Sequence, residues 1–277
     1  MNKINELIQN KQLVIALEAY NGLSAKVVEN SPFNVIWVSS LTSSGSMGLP
    51  DIELISNDAR LDIVREIRQV STKPIIYDGD TGGQIDHFPY WVQRLEEAGV
   101  DAVIIEDKAF PKRNSLDLTA NHILEDVDLF AQKIAAGKKA ARNILIIARL
   151  ESLIAKHNIY EAMGRAEEFL KAGADGIMIH SKASVDANEV FEFPKLFKAK
   201  YPSIPLVCVP TTYNQYTHDE LAAHGFDIII HANHLLRASL QAMTQTAEKL
   251  WQYQRSKELD DTIASVKDIF TITGYVS

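Results

Sequence analysis

Eight short apolar runs recur along the chain, with amphipathic stretches between them. Each run is rich in Ile or Val and is continuously apolar, which is typical of parallel strands that are buried on both faces. The stretches between them, such as residues 59–70 and 122–139, have the apolar period of amphipathic helices. The runs are residues 13–20, 34–40, 74–80, 102–107, 144–151, 176–181, 206–210 and 227–233.

Strands that alternate with helices predict an α/β fold, and eight such units predict a (β/α)₈ TIM barrel formed by residues 1–277 as one domain. A single barrel commonly reaches this length. A doubly wound open sheet is the alternative, but no GxGxxG turn follows the first run to support it.

A Gly-x-Asp repeat before three of the runs supports the repeated architecture. We expect each glycine to end a helix in the left-handed conformation and each aspartate to turn the chain into the next strand. Because these aspartates precede their strands, we expect them to be structural and to lie on the face away from catalytic groups. The pairs are Gly99 and Asp101, Gly173 and Asp175, and Gly225 and Asp227.

The C-terminal residues 235–277 form a helical extension beyond what a barrel needs. Residues 235–256 predict a long amphipathic helix, and a further helix is predicted at about 259–270. Two uses are equally compatible with this pattern: packing on a neighbouring subunit, or capping of the barrel.

Composition narrows the class of protein. The formal net charge is −8 and the pI is near 5.5, which argues against nucleic-acid binding through a basic surface. No apolar run approaches the roughly 18 residues of a membrane span, and residues 1–12 lack the apolar core of a signal peptide. The single cysteine, Cys208, excludes an internal disulfide and fits a reducing compartment. We therefore expect a cytoplasmic enzyme that binds a small molecule and neither nucleic acid nor a membrane.

Acidic side chains end two neighbouring runs: Asp78 and Asp80 end the third, and Glu106 ends the fourth. The carboxyl ends of barrel strands meet at one rim. Carboxylates placed there suit Mg²⁺, which binds through a few of them and keeps waters for an anionic substrate. Successive side chains of an extended chain point to opposite sides, so both aspartates reach one metal only if the backbone turns, and Gly79 permits such a turn.

Polar or charged groups also follow the other runs. A single acidic residue at a strand end often only caps a helix, and a lone histidine is more often structural, but together these groups indicate a functional site at this rim. Lys182 and Asp107 are the weakest members, because either can be a solvated loop charge or a partner behind the site. The others are Trp37, Ser39, Ser40, Leu41, Arg149, Glu151, His180, Ser181, Thr211, Thr212, Tyr213, Asn233 and His234.

The segment of residues 109–120 has no clear apolar period and is longer than a minimal connection between strand and helix. Such a loop is a candidate lid. Its cations, Lys112 and Arg113, would neutralise an anion when the loop closes. The alternative is a mobile, solvated loop.

These motifs, taken in order, resemble those of the phosphoenolpyruvate mutase family, within the isocitrate lyase/phosphoenolpyruvate mutase superfamily. The similarity covers nearly the whole chain, and the combination is far more specific than any one motif. The matching segments are WVSSL (37–41), GLPD (48–51), DGDTG (78–82), EDKAFPKRNSL (106–116), ARLE (148–151), GADGIMIHSK (173–182), VPTTY (209–213), ANHLLRAS (232–239) and SVKDIF (265–270).

The resemblance implies a barrel that exchanges its C-terminal helices between subunits of a dimer or homotetramer. It implies an isomerase that interconverts phosphoenolpyruvate and phosphonopyruvate with Mg²⁺, the step that forms the carbon–phosphorus bond in phosphonate biosynthesis. The implied metal-side acidic residues are Asp51, Asp78, Asp80 and Glu106, some acting through water. The implied catalytic residues are Asp51, Lys112, Asn114, Arg149 and His180, the last two contacting the phosphoryl group. The implied substrate-binding residues are Trp37, Ser39, Ser40, Leu41, Ser115 and Leu116.

The loop distinguishes this chain from related enzymes. Lyases of the superfamily carry a catalytic cysteine in a K-[KR]-C-G-H loop, whereas this chain has KRNS at 112–115 and its cysteine inside a strand. Phosphonopyruvate hydrolases typically have Thr where this chain has Asn114, which favours the mutase. A hydrolase, an α-keto acid lyase or decarboxylase, and a non-catalytic anion-binding barrel are the alternatives. Many mutases read DGDTGYGN where this chain reads DGDTGGQI (78–85), so the contacts of this loop are left open.

Overall fold

The computed structural model of this chain describes residues 2–117, 119–182 and 188–275. Eight parallel strands form a closed barrel in chain order, and the first strand pairs with the eighth. The predicted (β/α)₈ barrel is therefore confirmed and the open sheet is excluded. Each strand lies within its apolar run. The strands are β1 Val14–Glu18, β2 Val35–Val38, β3 Ile75–Asp78, β4 Ala102–Glu106, β5 Leu145–Leu150, β6 Gly176–Ile179, β7 Leu206–Cys208 and β8 Ile228–His231.

Helices follow the strands and cover the outside of the barrel. Over the described residues they are α1 Lys3–Gln9, α2 Gly22–Glu29, α3 Ser40–Ser46, α4 Asn57–Val70, α5 Phe88–Glu97, α6 Val127–Ala140, α7 Ile159–Lys171, α8 Asn188–Lys200, α9 His218–Ala223, α10 His234–Tyr253 and α11 Val266–Thr273. Within that part of the chain, no helix is both long enough and apolar enough to cross a membrane.

Two of the predicted helices differ from those observed. The helix predicted from residue 122 begins at Val127, because the Asp126 side chain accepts from the backbone N–H groups of Asp128 and Leu129 and so caps it there. The helix predicted at about 259–270 is instead a short 3₁₀ turn, Lys257–Leu259, followed by α11. The start of α11 is fixed by a capping box at Ser265.

The interior of the barrel explains why the runs are continuously apolar. Alternate residues of β1 and β2, such as Val14 and Val35, fill the interior, while their neighbours pack against the helices. Helix α1 closes the amino-terminal end of the barrel with the fully buried Ile4. The carboxyl ends of the strands form the opposite rim.

The Gly-x-Asp repeat has the expected structural role. The three glycines have φ values of 89°, 102° and 98° and follow the ends of α5, α7 and α9. Each aspartate accepts from a backbone N–H near the start of the preceding strand, and pairs with a cation on a helix. The pairs are Asp101 with Arg68, Asp175 with Lys138, and Asp227 with Lys198.

Candidate active site

A cavity of about 60 Å³ lies at the carboxyl ends of the strands. Most of the predicted site residues line it: Trp37, Ser39, Ser40, Leu41, Asp51, Asp78, Lys112, Asn114, Ser115, Leu116, Arg149 and His180. Asp80 and Glu106 lie behind this wall, in contact with Lys112 and Arg149. The barrel thus brings all the predicted residues together.

Other wall residues were not in the predicted site set. Thr211 and Asn233 are among the predicted strand-end residues. Met178, Val209 and Ala232 are not, because inward-facing apolar residues near strand ends carry no signal that separates them from the core.

Asp78 fastens the end of β3 to the start of α3. Its Oδ2 accepts from Ser40 N at 3.2 Å and from Ser40 Oγ at 3.0 Å. Ser39 is the N-cap of that helix, and its side chain accepts from Thr42 N. These contacts hold Ser40 of the cavity wall against the Asp78 carboxylate.

The predicted turn in the DGD segment is present. Asp80, with φ of 52°, is the left-handed residue, and Gly79 is not. Glycine is required at 79 for space, because a Cβ there would lie 2.8 Å from side-chain atoms of both Ile105 and Val103. Gly79 thus permits the turn because it has no side chain, and Asp80 adopts the left-handed conformation within it.

Arg60 of α4 stabilises this turn and was missed from the sequence. It is buried, its Nη1 donates to Asp80 Oδ2 at 2.5 Å, and its Nη2 donates to the carbonyl oxygen of Asp78. Its guanidinium carbon lies 4.6 Å from the ring centre of Tyr77. In an amphipathic helix, one arginine among several gives no sign that it points inward.

The loop after β4 lies over the cavity. The ammonium of Lys112 is buried and donates to Asp51 Oδ1 and Ser40 Oγ, each at 2.8 Å, and to Asp80. Burial opposes ionisation of Asp80, but Lys112 and Arg60 overcome it and lower the pKa of Asp80 to about 2. Conversely, the surrounding carboxylates overcome the effect of burial and raise the pKa of Lys112. The loop is therefore held down by a buried ion pair.

Arg149 and His180 share one carboxylate, that of Glu151. Arg149 Nε lies 2.5 Å from Glu151 Oε1, and His180 Nδ1 lies 2.7 Å from the same oxygen. Burial and then the Arg149 charge lower the pKa of His180, which favours neutral imidazole. Arg149 also reaches Glu106 Oε2 at 3.2 Å.

Glu106 is the residue best suited to a further charged group. Both of its carboxylate oxygens are buried and lack a hydrogen-bond partner, and the Lys108 ammonium lies 3.3 Å away. Burial raises the pKa of Glu106 to about 7, against the opposing effect of Arg149. Among the described residues, no group of three or more His, Cys, Asp or Glu side chains has the geometry to enclose a metal ion. Mg²⁺ needs only one or two direct carboxylates and retains waters, so Asp78, Asp80 and Glu106 fit it in that manner.

Asp107, which was ambiguous in the sequence, has a structural role, and so does Cys208. Asp107 is fully buried, and its carboxylate accepts from Arg165 Nε at 2.5 Å and from Glu151 N at 2.8 Å. It therefore supports the site from behind. Cys208 is fully buried in β7, and burial raises the pKa of its thiol well above the usual value. It supplies no thiolate to the loop.

The residues that depart from the DGDTGYGN pattern lie outside the main cavity. Gly83, Gln84 and Ile85 line a second cavity of about 590 Å³, which adjoins the site at Asp80. Thr81 secures the start of this loop by donating its N–H and its hydroxyl to Glu53 Oε1 at 3.1 Å and 2.9 Å. The departure therefore leaves the described contacts of the main cavity intact.

Comparison with known proteins gives a consistent result. A family model described as phosphoenolpyruvate phosphomutase matches residues 4–251. The phosphoenolpyruvate phosphomutase of Tetrahymena pyriformis is 34% identical over 98% of this chain and 90% of its own length. The phosphonopyruvate hydrolase of Variovorax sp. (strain Pal2) is 35% identical over 96% of this chain and 92% of its own. A crystal structure of phosphonopyruvate hydrolase with oxalate and Mg²⁺ superposes with a TM-score of 0.90 at 34% identity, covering 99% of this chain and 94% of that one.

Proposed function

The chain belongs to the phosphoenolpyruvate phosphomutase family, and from this premise we propose that it is an isomerase that interconverts phosphoenolpyruvate and phosphonopyruvate. The observation that carries the proposal is the position of Asn114. Its amide nitrogen lies in the cavity wall and donates to Asp51 Oδ2 at 2.7 Å. An amide at this position, where hydrolases of the family typically have Thr, favours return of the phosphoryl group to the pyruvate fragment.

Moving a phosphoryl group from an enol oxygen to carbon depends chiefly on positioning and charge stabilisation. A loose transition state spreads negative charge over the equatorial oxygens of the group. In the proposed mechanism Arg149 and His180 bind those oxygens, and Asn114 donates to the group during transfer. The first turn of α3, with Ser40 and Leu41, binds the carboxylate of the pyruvate fragment.

Water must be excluded while the phosphoryl group is free, because capture by water gives hydrolysis. The buried contacts of Lys112 with Asp51 and Asp80 hold the loop over the cavity and support this role. When bound through Asp78, Asp80 and Glu106, Mg²⁺ would supply charge stabilisation to the enolate of the pyruvate fragment.

Hydrolysis of phosphonopyruvate to pyruvate and phosphate is the second candidate. The hydrolase relative is as similar to this chain as the mutase relative, at 35% against 34% identity. Overall similarity therefore does not separate the two activities, and the proposal depends on the loop.

Phosphorus NMR of the purified protein with Mg²⁺ and phosphonopyruvate tests the proposal. We expect the phosphonate signal to be replaced by that of phosphoenolpyruvate. Free phosphate as the first product would support the hydrolase instead, and an unchanged spectrum would contradict both activities. Chelation with EDTA should stop the conversion.

We also propose that the chain forms a homo-oligomer through its C-terminal helices. Helix α10 buries none of its residues within one chain, and its apolar side chains include Leu240, Met243 and Trp251, which are 63%, 61% and 87% exposed. Such a surface is typical of an interface. Light scattering after gel filtration should give a multiple of 30.9 kDa, and Leu240→Ser with Met243→Ser should reduce that mass.

A further inference from the structure

We propose that Glu151 is a positioning residue that joins the loop after β4 to Arg149 and His180, the pair proposed to bind the phosphoryl group. One of its carboxylate oxygens contacts this phosphoryl-binding pair, and the other contacts the loop. The inference depends on the proposed function only for the roles of Arg149 and His180. The contacts of Glu151 are present whatever reaction the protein catalyses.

The first oxygen of Glu151 orients the pair. Oε1 lies 2.5 Å from Arg149 Nε and 2.7 Å from His180 Nδ1. Burial opposes the charge on Glu151, but Arg149 and His180 hold its pKa well below the usual range, so it is an ionised acceptor. The same Nδ1 of His180 lies 2.8 Å from Arg149 Nη2, so Glu151 and Arg149 together fix the orientation of the imidazole.

The second oxygen of Glu151 holds the loop. Oε2 accepts from Ser115 Oγ at 2.7 Å. The same hydroxyl lies 2.7 Å from Lys108 Nζ and 2.8 Å from Arg149 Nη2. A serine hydroxyl has one donor and two acceptor sites, and these three contacts use all of them.

Two more contacts make this arrangement rigid. Lys108 Nζ also donates to the carbonyl oxygen of Arg113 at 2.7 Å, which anchors the loop backbone beside Ser115. The backbone N–H of Glu151 donates to Asp107 Oδ1 at 2.8 Å, which fixes the backbone at Glu151. All of Lys108, Ser115 and Glu151 are at most 4% exposed, so water does not screen these contacts.

Opening of the loop would withdraw the Ser115 hydroxyl from both Glu151 and Arg149. Closure of the loop and orientation of the phosphoryl-binding pair are therefore coupled through Glu151. Replacement of Ser115 or of Glu151 should loosen the loop. Replacement of both should loosen it little further, because each single change already removes the hydrogen bond between the two charged or polar side chains.

Limited trypsin digestion measures this coupling without substrate, because Lys112 and Arg113 lie in the loop and the Lys112 side chain is 4% exposed. Cleavage after the buried Lys112 should be about tenfold faster or more in Ser115→Ala and in Glu151→Gln, because each variant loses a charge-assisted hydrogen bond. The double variant should be cleaved no faster than the faster single variant by more than about twofold. The matched control is Ser31→Ala, whose hydroxyl donates to Val28 O at 2.7 Å outside the site.

Wild-type cleavage rates in Ser115→Ala would overturn the proposal, even if Glu151→Gln failed to fold. Multiplying effects in the double variant would overturn the coupling. Steady-state kinetics then give a second readout: Glu151→Asp, which keeps the charge, should recover more kcat/KM than Glu151→Gln. If the wild-type protein turned over no phosphonopyruvate, the proposed function would fail while the protease result still decided the role of Glu151.

Discussion

The side-chain amide of Asn114 donates to Asp51 Oδ2 at 2.7 Å, and Asn114 Oδ1 accepts from Leu116 N at 2.9 Å. These partners fix which end of the amide is which, because the carboxylate can only accept and the backbone N–H can only donate. The other oxygen of Asp51 accepts from Lys112. Asp51 thus contacts both Asn114, which is proposed to act on the transferring group, and Lys112, which holds the loop over the cavity.

Replacement of Asn114 by Thr should lower conversion of phosphonopyruvate to phosphoenolpyruvate by about 10²-fold or more, since one preorganised donor is lost from the site. The fraction of phosphonopyruvate that becomes free phosphate should rise, and phosphorus NMR measures both products in one sample. The control is Arg113→Ala, because the neighbouring Arg113 is exposed in the same loop. Full mutase activity in Asn114→Ala would show that the proposed role is wrong.

Replacement of Arg60 by Met should reduce the free energy of unfolding by about 3–5 kcal/mol, because it removes one of the two cations around the buried charge of Asp80. Urea denaturation measures this change. Arg65→Met is the control on the same helix, since Arg65 and Asp62 form an exposed pair, with 53% and 70% exposure, and should change stability by less than about 1 kcal/mol. Equal losses in the two variants would contradict the role of Arg60.

Much of the site was predictable because a parallel barrel carries every strand end to one rim. That rule alone places Asp78, Arg149 and His180 together, although they are far apart in the chain. The rule needs only the apolar runs and their number, and both can be read from the sequence without knowledge of tertiary contacts.

The supporting contacts were not predictable in the same way. The inward direction of Arg60 depends on how α4 packs against β3, and the requirement for glycine at 79 depends on crowding from β4. The dual role of Glu151 depends on the loop that reaches it from β4. Each of these features arises from contacts between distant segments, which a periodic pattern does not encode.

Two glycines in neighbouring helices should respond oppositely to alanine. A Cβ at Gly137 in α6 would overlap a ring atom of Phe88, so Gly137→Ala should destabilise the protein by about 1–3 kcal/mol through overpacking. Gly164 in α7 is exposed and has no atom within 4 Å of that position, so Gly164→Ala should stabilise it by up to about 1 kcal/mol. Thermal unfolding of both variants is the measurement, and a loss of stability in both would contradict the steric argument.

Glu18 at the end of β1 should make stability depend on pH. Its Oε1 accepts from the N–H groups of Leu235 and Leu236 at the start of α10, and its buried Oε2 has no partner. Burial raises the pKa of Glu18 from 4.5 to about 7, with the backbone N–H groups opposing the shift. As the pH rises from 4.5 to 7, the unfolded chain releases this proton while the folded protein retains it, so folding becomes less favourable through that window.

Glu18→Gln removes this titration and keeps an acceptor oxygen for α10. The unfolding free energy of the variant minus that of the wild type should be about 2–3 kcal/mol larger at pH 8 than at pH 5. Urea denaturation at both pH values measures the difference, from which the titrations of all other groups cancel. Glu97→Gln, at an exposed position of α5, should show no such change. An equal effect of Glu18→Gln at the two pH values would mean that Glu18 is ionised in the folded protein throughout this range.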